Sequence, residues 1–397
     1  MSHVEPISSL LTRWRYMLTR GSRTGPAFNP NPLFREVTGF DVATYFDAGF
    51  LLYEGFYLDA LRQDSLVTTP QLVNAGYFRN SAPALSVLRA ISTTLDDLVM
   101  QVQVYASAPE SLLFLSKHLQ LKPVVQFSTN QFMVLSLMRM GERLTSGAYY
   151  TVVDNFQANH LDQKGQVDTF MTWLGYVFQD YIADLLGSIP AWSCTPEPPN
   201  ADPPMADVTA KTPKGAILVE CKTKRIRVKA FEQGDLKTFR DDLRLSNGPK
   251  RSSSVAGGAA ELSDRLGQIA AGTYGVLGLT TATTVPIVCT LEATPAILGL
   301  GREIDDILHS VEWHGSPHPA LTCAFDLEML VATEESHGDG LQRLKDWLPD
   351  ANRVTLADFL KHTASISRMG NWQGQQWDLA KAQAISILTI AIQEESP

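Results

Sequence analysis

Four cysteines in 397 residues are too few and too scattered for a disulfide framework. Cys194, Cys221, Cys289 and Cys323 form no C-x-x-C pair, and none stands with histidine at zinc-module spacing. Long apolar runs are missing too. The stretch 385–392 falls far short of the roughly 18 residues that a membrane helix needs. Residues 1–23 carry no apolar segment of signal-peptide type, so a cytoplasmic protein without a membrane partner is expected. Positive charge is not in excess: 33 Lys and Arg face 42 Asp and Glu, a net charge of −9. That excludes a uniformly basic nucleic-acid binder but not a local basic patch. No G-x-x-x-x-G-K-[ST] loop and no G-x-S-x-G elbow occurs, which argues against a P-loop NTPase or an α/β-hydrolase.

What is present suffices for a substantial core. Hydrophobic residues make up 44% and charged residues 19%. The length suggests two or three domains. Helical periodicity predominates from 41 to 140. Leu85, Leu88, Ile91, Leu95, Leu98 and Val99 give 82–104 one apolar face, and 111–119 and 131–140 read as helix as well. A short strand is expected at 124–127. Residues 1–165 therefore read as a mostly helical domain.

Beyond it, 170–186 carries a wide apolar helical stripe. Five prolines in 194–204 predict a loop or flap. Two strands, 205–210 and 216–222, flank a turn with Pro213 and Gly215. The Ser/Gly/Ala-rich 252–260 reads as a flexible loop and 260–273 as helix. Strands are expected at 286–291 and 322–331, and helices at 357–365 and 376–394. This alternation predicts an α/β domain over 166–397.

One segment carries chemistry. The run 217–219 is a buried-strand pattern that ends abruptly in Glu220-Cys221-Lys222. In a strand Glu220 and Lys222 share a face. A hairpin can bring Asp207 beside Glu220. Asp207, Glu220 and the Cys221 backbone carbonyl are oxygen donors of the kind that Mg²⁺ takes. Such a metal lowers the pKa of a bound water, and Lys222 can orient that water and stabilise developing negative charge. The spacing alone is weak, because 162–164 and 235–237 repeat it. An exposed strand-end ion pair would look the same.

With its hairpin, its upstream Asp207 and its preceding helix, the segment resembles the PD-(D/E)XK nuclease superfamily. The likeness covers roughly 166–292. It implies a restriction-endonuclease-like mixed sheet flanked by helices. It also implies a catalytic set of Asp207, Glu220 and Lys222, with Mg²⁺ or Mn²⁺ held by Asp207, Glu220 and the Cys221 carbonyl. The implied activity is phosphodiester hydrolysis, in DNA more than RNA. There are departures. Gln179 stands where many relatives carry a helix glutamate, with Asp180 adjacent, and Ala206 replaces the proline. Gln268 resembles a glutamine of RecB-like members.

Between 211 and 251 twelve Lys and Arg face five Asp and Glu; elsewhere 21 face 37. Lys224, Arg225, Arg227, Lys229 and Arg240 are thus candidate nucleic-acid contacts. The competing reading is a catalytically inactive nuclease fold that binds nucleic acid or a protein. The N-terminal domain would serve a homo-oligomer or a protein partner. His309, His314 and His318 do not share a helical face, which argues against zinc.

Overall fold

A computed structural model of the chain describes residues 7–62, 71–74, 82–106, 119, 121–149, 152–153, 164–197, 204–223, 237, 255–274, 278–291, 306–313, 318–350, 355–364 and 370–394. The architecture is mixed α/β, with many helices and two mixed sheets. The chain divides into two compact units. One comprises Glu5–Gly21, Phe28–Phe170 and Gln375–Pro397; the other comprises Met1–Val4, Ser22–Ala27 and Met171–Gly374. The sequence reading put one boundary at 165/166. The division between the units falls at Phe170/Met171, and 375–397 groups with the first unit.

The first unit opens with α1 (Ile7–Arg20), α2 (Asn31–Thr38) and α3 (Val42–Arg62). Leu11, Trp14, Phe34, Phe46 and Phe50 are buried in its core. β1 (Gln71–Asn74) follows. The stretch 82–104 is not one helix. It breaks into α4 (Ala82–Ala90), β2 (Ser92–Thr94) and α5 (Leu95–Ala106). The cause is local: the Thr94 hydroxyl accepts the Asp97 amide at 3.1 Å, an N-cap that starts a new helix.

The helix expected at 131–140 is corrected in the same way. Residues 131–134 form β4 (Gln131–Val134), paired antiparallel with β3 (Val124–Gln126). Phe132 and Val134 alternate into the core, a period of two. Only after Ser136 caps Arg139 does α6 (Leu137–Leu144) begin. The sheet order is β1-β4-β3-β2, with only β2 and β3 parallel. Of 111–119, all but 119 lies outside the described residues.

The second unit is built on α7 (Lys164–Gly187), from Met171 on, and a five-stranded sheet. The strands are β5 (Ser193–Pro196), β6 (Val208–Thr212), β7 (Gly215–Lys222), β8 (Thr284–Thr290) and β9 (Ala320–Cys323), in that spatial order. β6 is antiparallel to both of its neighbours, β5 and β7; β7, β8 and β9 are parallel. Helix α8 (Val255–Ala270) lies between β7 and β8 in the chain. Its Ala256, Ala259, Leu262 and Leu266 form one buried cluster with Leu218 and Val288 of the sheet.

Three expectations change here. The proline-rich 194–204 is not all loop: Pro196 ends β5, an edge strand where a missing N–H is tolerated. The run 252–260 is helical from Val255, and its small residues let α8 lie close to the sheet. The run 322–331 is strand only to Cys323, and α9 (Ala324–His337) follows. The Asp326 carboxylate accepts the Cys323 amide at 2.9 Å, which caps that helix. Ala324 to Thr333 are all buried, so the apolar run has no helical stripe to read. The unit continues through α10 (Gly340–Trp347) and α11 (Leu356–Ala364) to Gly374, and α12 (Asn371–Glu394) belongs to the first unit from Gln375 on. None of the described helices is long and apolar enough to cross a membrane.

Candidate functional site

The site is made by the hairpin of β6 and β7. Thr212 pairs with Gly215 across a turn of only Pro213 and Lys214. Gly215 has φ +149°, and a Cβ there would lie 2.2 Å from the Thr283 carbonyl oxygen. Only glycine fits. The tight turn fixes the register, in which Val208 faces Val219. One step further along, Asp207 faces Glu220. The Cys221 N–H donates to Asp207 Oδ2 at 2.7 Å. Lys222 O accepts from Leu291 N on the β8 side. Peptides alternate along a strand, so the Cys221 carbonyl points to the opposite side, toward Asp207.

Glu220 is 3% exposed and Lys222 7%. An exposed strand-end ion pair is therefore not what the chain forms. Burial pushes the Glu220 carboxyl well above the usual range. Asp207 raises it further, Lys222 opposes, and Glu261 adds to the rise. For Lys222 burial opposes the charged form, but Glu220, Asp207 and Glu261 together hold it protonated above the ordinary lysine value. Lys222 Nζ lies 3.3 Å from Glu220 Oε2 and 2.8 Å from Glu261 Oε2. Gly258 makes this possible, since a Cβ there would come within 2.7 Å of Lys222 Cε.

Glu261 and Glu197 were not foreseen from the sequence. Glu261 lies three residues beyond Gly258, on the same helical side. A carboxylate three residues past a glycine pair, beside a small-residue stripe, was the available signal. Glu197 Oε1 accepts the Met205 amide at 2.6 Å, and its amide donates to Asp207 O at 2.9 Å. Burial raises its carboxyl, and Asp207 adds to the rise. Nothing in the proline-rich stretch marked it.

The remaining candidates are placed differently. Gln179 supports Asp207 rather than a metal: its Nε2 donates to Asp207 O at 2.6 Å and to Glu197 O at 3.3 Å. Asp180 faces another segment. Its carboxylate accepts the Arg23 amide at 2.6 Å and the hydroxyls of Ser22 and Thr24 at 3.1 and 3.2 Å. Gln268 accepts from the Tyr274 hydroxyl at 2.6 Å. It is seven residues beyond Glu261, about 10 Å further along α8. Lys224, Arg225, Arg227, Lys229 and Arg240 lie outside the described residues, as does His314. His309 and His318 pack against each other with tilted rings, centroids 4.4 Å apart.

Among the described residues no three His, Cys, Asp or Glu side chains form a ready metal cage. The donor set that fits a hard cation is smaller: the Asp207 and Glu220 carboxyl groups, with Asp207 raising the Glu220 carboxyl, beside a strand carbonyl. No family model matches the chain, and no curated protein or solved structure matches it either.

Proposed function

We propose that the chain is a metal-dependent nuclease of PD-(D/E)XK type, with Asp207, Glu220 and Lys222 as its catalytic set. The observation that carries this reading is Asp207 held opposite Glu220, with Lys222 two residues on, at the buried end of a central strand. A buried carboxyl group facing a second, half-buried one is unfavourable alone; beside a lysine and a cation the pair is a site for phosphate. The element order supports the same reading: a helix, three antiparallel strands, a helix and a parallel strand. Asp207, Glu220 and the Cys221 carbonyl would hold Mg²⁺ or Mn²⁺. Bound there, the ion would lower the pKa of a water and neutralise phosphate charge. Lys222 is the group beside it that carries a proton. Lys222, kept as an ammonium, offers a fixed positive charge to a phosphate oxygen.

The substrate proposed is nucleic acid, DNA before RNA, with the basic stretch after Lys222 as its track. The test is cleavage of mixed DNA and RNA with Mg²⁺, Mn²⁺ or EDTA, with Glu220→Ala as control. Metal-dependent cleavage that the variant loses is the expected result. Cleavage that survives the substitution would remove the assignment.

A second reading has its own observation. Helix α7 brings no carboxylate to Glu220, since Gln179 and Asp180 are engaged elsewhere. That favours a nuclease fold kept for binding. It predicts salt-sensitive, metal-independent association with nucleic acid and no cleavage.

A further inference from the structure

We infer that Glu261 is the positioning residue of Lys222, holding the ammonium group at the end of β7 from the facing helix while Gly258 clears the path of the lysine stem. For its catalytic consequence the inference rests on the nuclease reading; the contact stands by itself.

The geometry is that of a clamp with two unlike jaws. Glu220 is on the same strand as Lys222 and is buried; Glu261 comes from α8 and is 29% exposed. A lysine with Glu220 alone would collapse onto it, because a four-carbon stem has no fixed direction. The second carboxylate, at 2.8 Å against 3.3 Å, draws Nζ away from Glu220 toward the helix. An ammonium has three donors. Two meet carboxylates, and the third meets none among the described residues, which leaves it for a water or a phosphate oxygen.

The helix is shaped for this contact. At Gly258 the approach is so close that a methyl group would meet Lys222 Cε at 2.7 Å and Glu220 Cβ at 3.4 Å. Gly258 and Glu261 are three residues apart, so one turn of α8 supplies both the space and the charge. The neighbouring Ala259 and Leu262 face the core cluster and leave Glu261 at its margin.

The test uses the full chain with lysine-selective isotope labels. The Lys222 side-chain NMR signal at pH 7, assigned by Lys222→Arg, reports where the ammonium sits, and cleavage is followed in the same proteins. Glu261→Gln should move that signal and slow cleavage at least tenfold, through kcat rather than KM, while Glu261→Asp restores part of both. Gly258→Ala, which pushes the end of a flexible side chain rather than backbone, should slow cleavage while circular dichroism is unchanged. An unmoved Lys222 signal in Glu261→Gln overturns the inference, whether or not the wild type cleaves. A moved signal with an unchanged kcat overturns the positioning role. A wild type that cleaves nothing defeats the nuclease reading, and the Lys222 signal alone then decides the contact.

Discussion

Asp207 fixes the backbone of Cys221: its Oδ2 accepts the Cys221 amide at 2.7 Å, between Glu220 and Lys222. The carboxylate proposed as a cation ligand is thus also a strand clasp. Asp207→Ala should cost about 1–3 kcal/mol of stability, because it strands an amide donor beyond the end of the β6 ladder. Asp207→Asn keeps an oxygen acceptor and should retain most of that stability while losing the metal response. Urea denaturation of the two variants separates these effects. Equal losses would mean that the hydrogen bond contributes nothing.

The second prediction concerns pH. Burial, then Asp207, raise the Glu220 carboxyl, so the folded state binds its proton more tightly than the unfolded state. Stability from this group is complete below the ordinary glutamate range, and it is lost as pH rises toward the raised value. Glu220→Gln removes that loss. The stability of the variant relative to wild type should therefore climb from about pH 4 upward. Lys222→Met removes the cation that opposes the shift and should extend the decline in its own curve to higher pH. Glu197 shifts in the same direction in every protein compared, and it cancels in the difference. Urea midpoints across the pH series are the readout, and parallel curves for Glu220→Gln and wild type would contradict the shift.

Much of this site was legible in the strand 215–222, because an apolar run that stops in charge has few structural explanations. The alternation that put Glu220 and Lys222 on one face is what the hairpin shows. Their burial was not legible. It depends on α8, whose glycines and alanines read as a loop because small residues signal flexibility and close packing alike. Asp326 and Thr94 show the other limit. Each starts a helix by capping an amide, inside a run whose hydrophobicity suggested a single element. Glu261 escaped notice for a different reason, since its meaning lies in a partner 39 residues away.

Divalent cations should stabilise the folded chain if Asp207 and Glu220 hold them. A ligand at 100 times its Kd adds about 2.7 kcal/mol through mass action. Mg²⁺ or Mn²⁺ should raise the melting temperature of the wild type and leave that of Glu220→Gln unmoved. This readout needs no substrate and no turnover. An equal rise in both proteins would place the ion elsewhere, and no rise in either would leave the carboxyl pair without a cation role.

The turn that sets the register gives the last prediction. At Gly215 any side chain meets two obstacles at once, an unfavourable φ of +149° and the Thr283 carbonyl oxygen at 2.2 Å from a Cβ. That oxygen belongs to backbone and cannot rotate away. Relief requires the hairpin to move relative to β8, and the hairpin carries the Asp207–Glu220 pairing. Gly215→Ala should therefore cost about 1–3 kcal/mol and weaken the divalent-cation response together. Lys214→Ala, an exposed neighbour in the same turn, should stay within about 0.5 kcal/mol and keep the full response. If Gly215→Ala loses stability yet responds to cations as the wild type does, the turn holds the sheet together but does not align the two carboxyl groups.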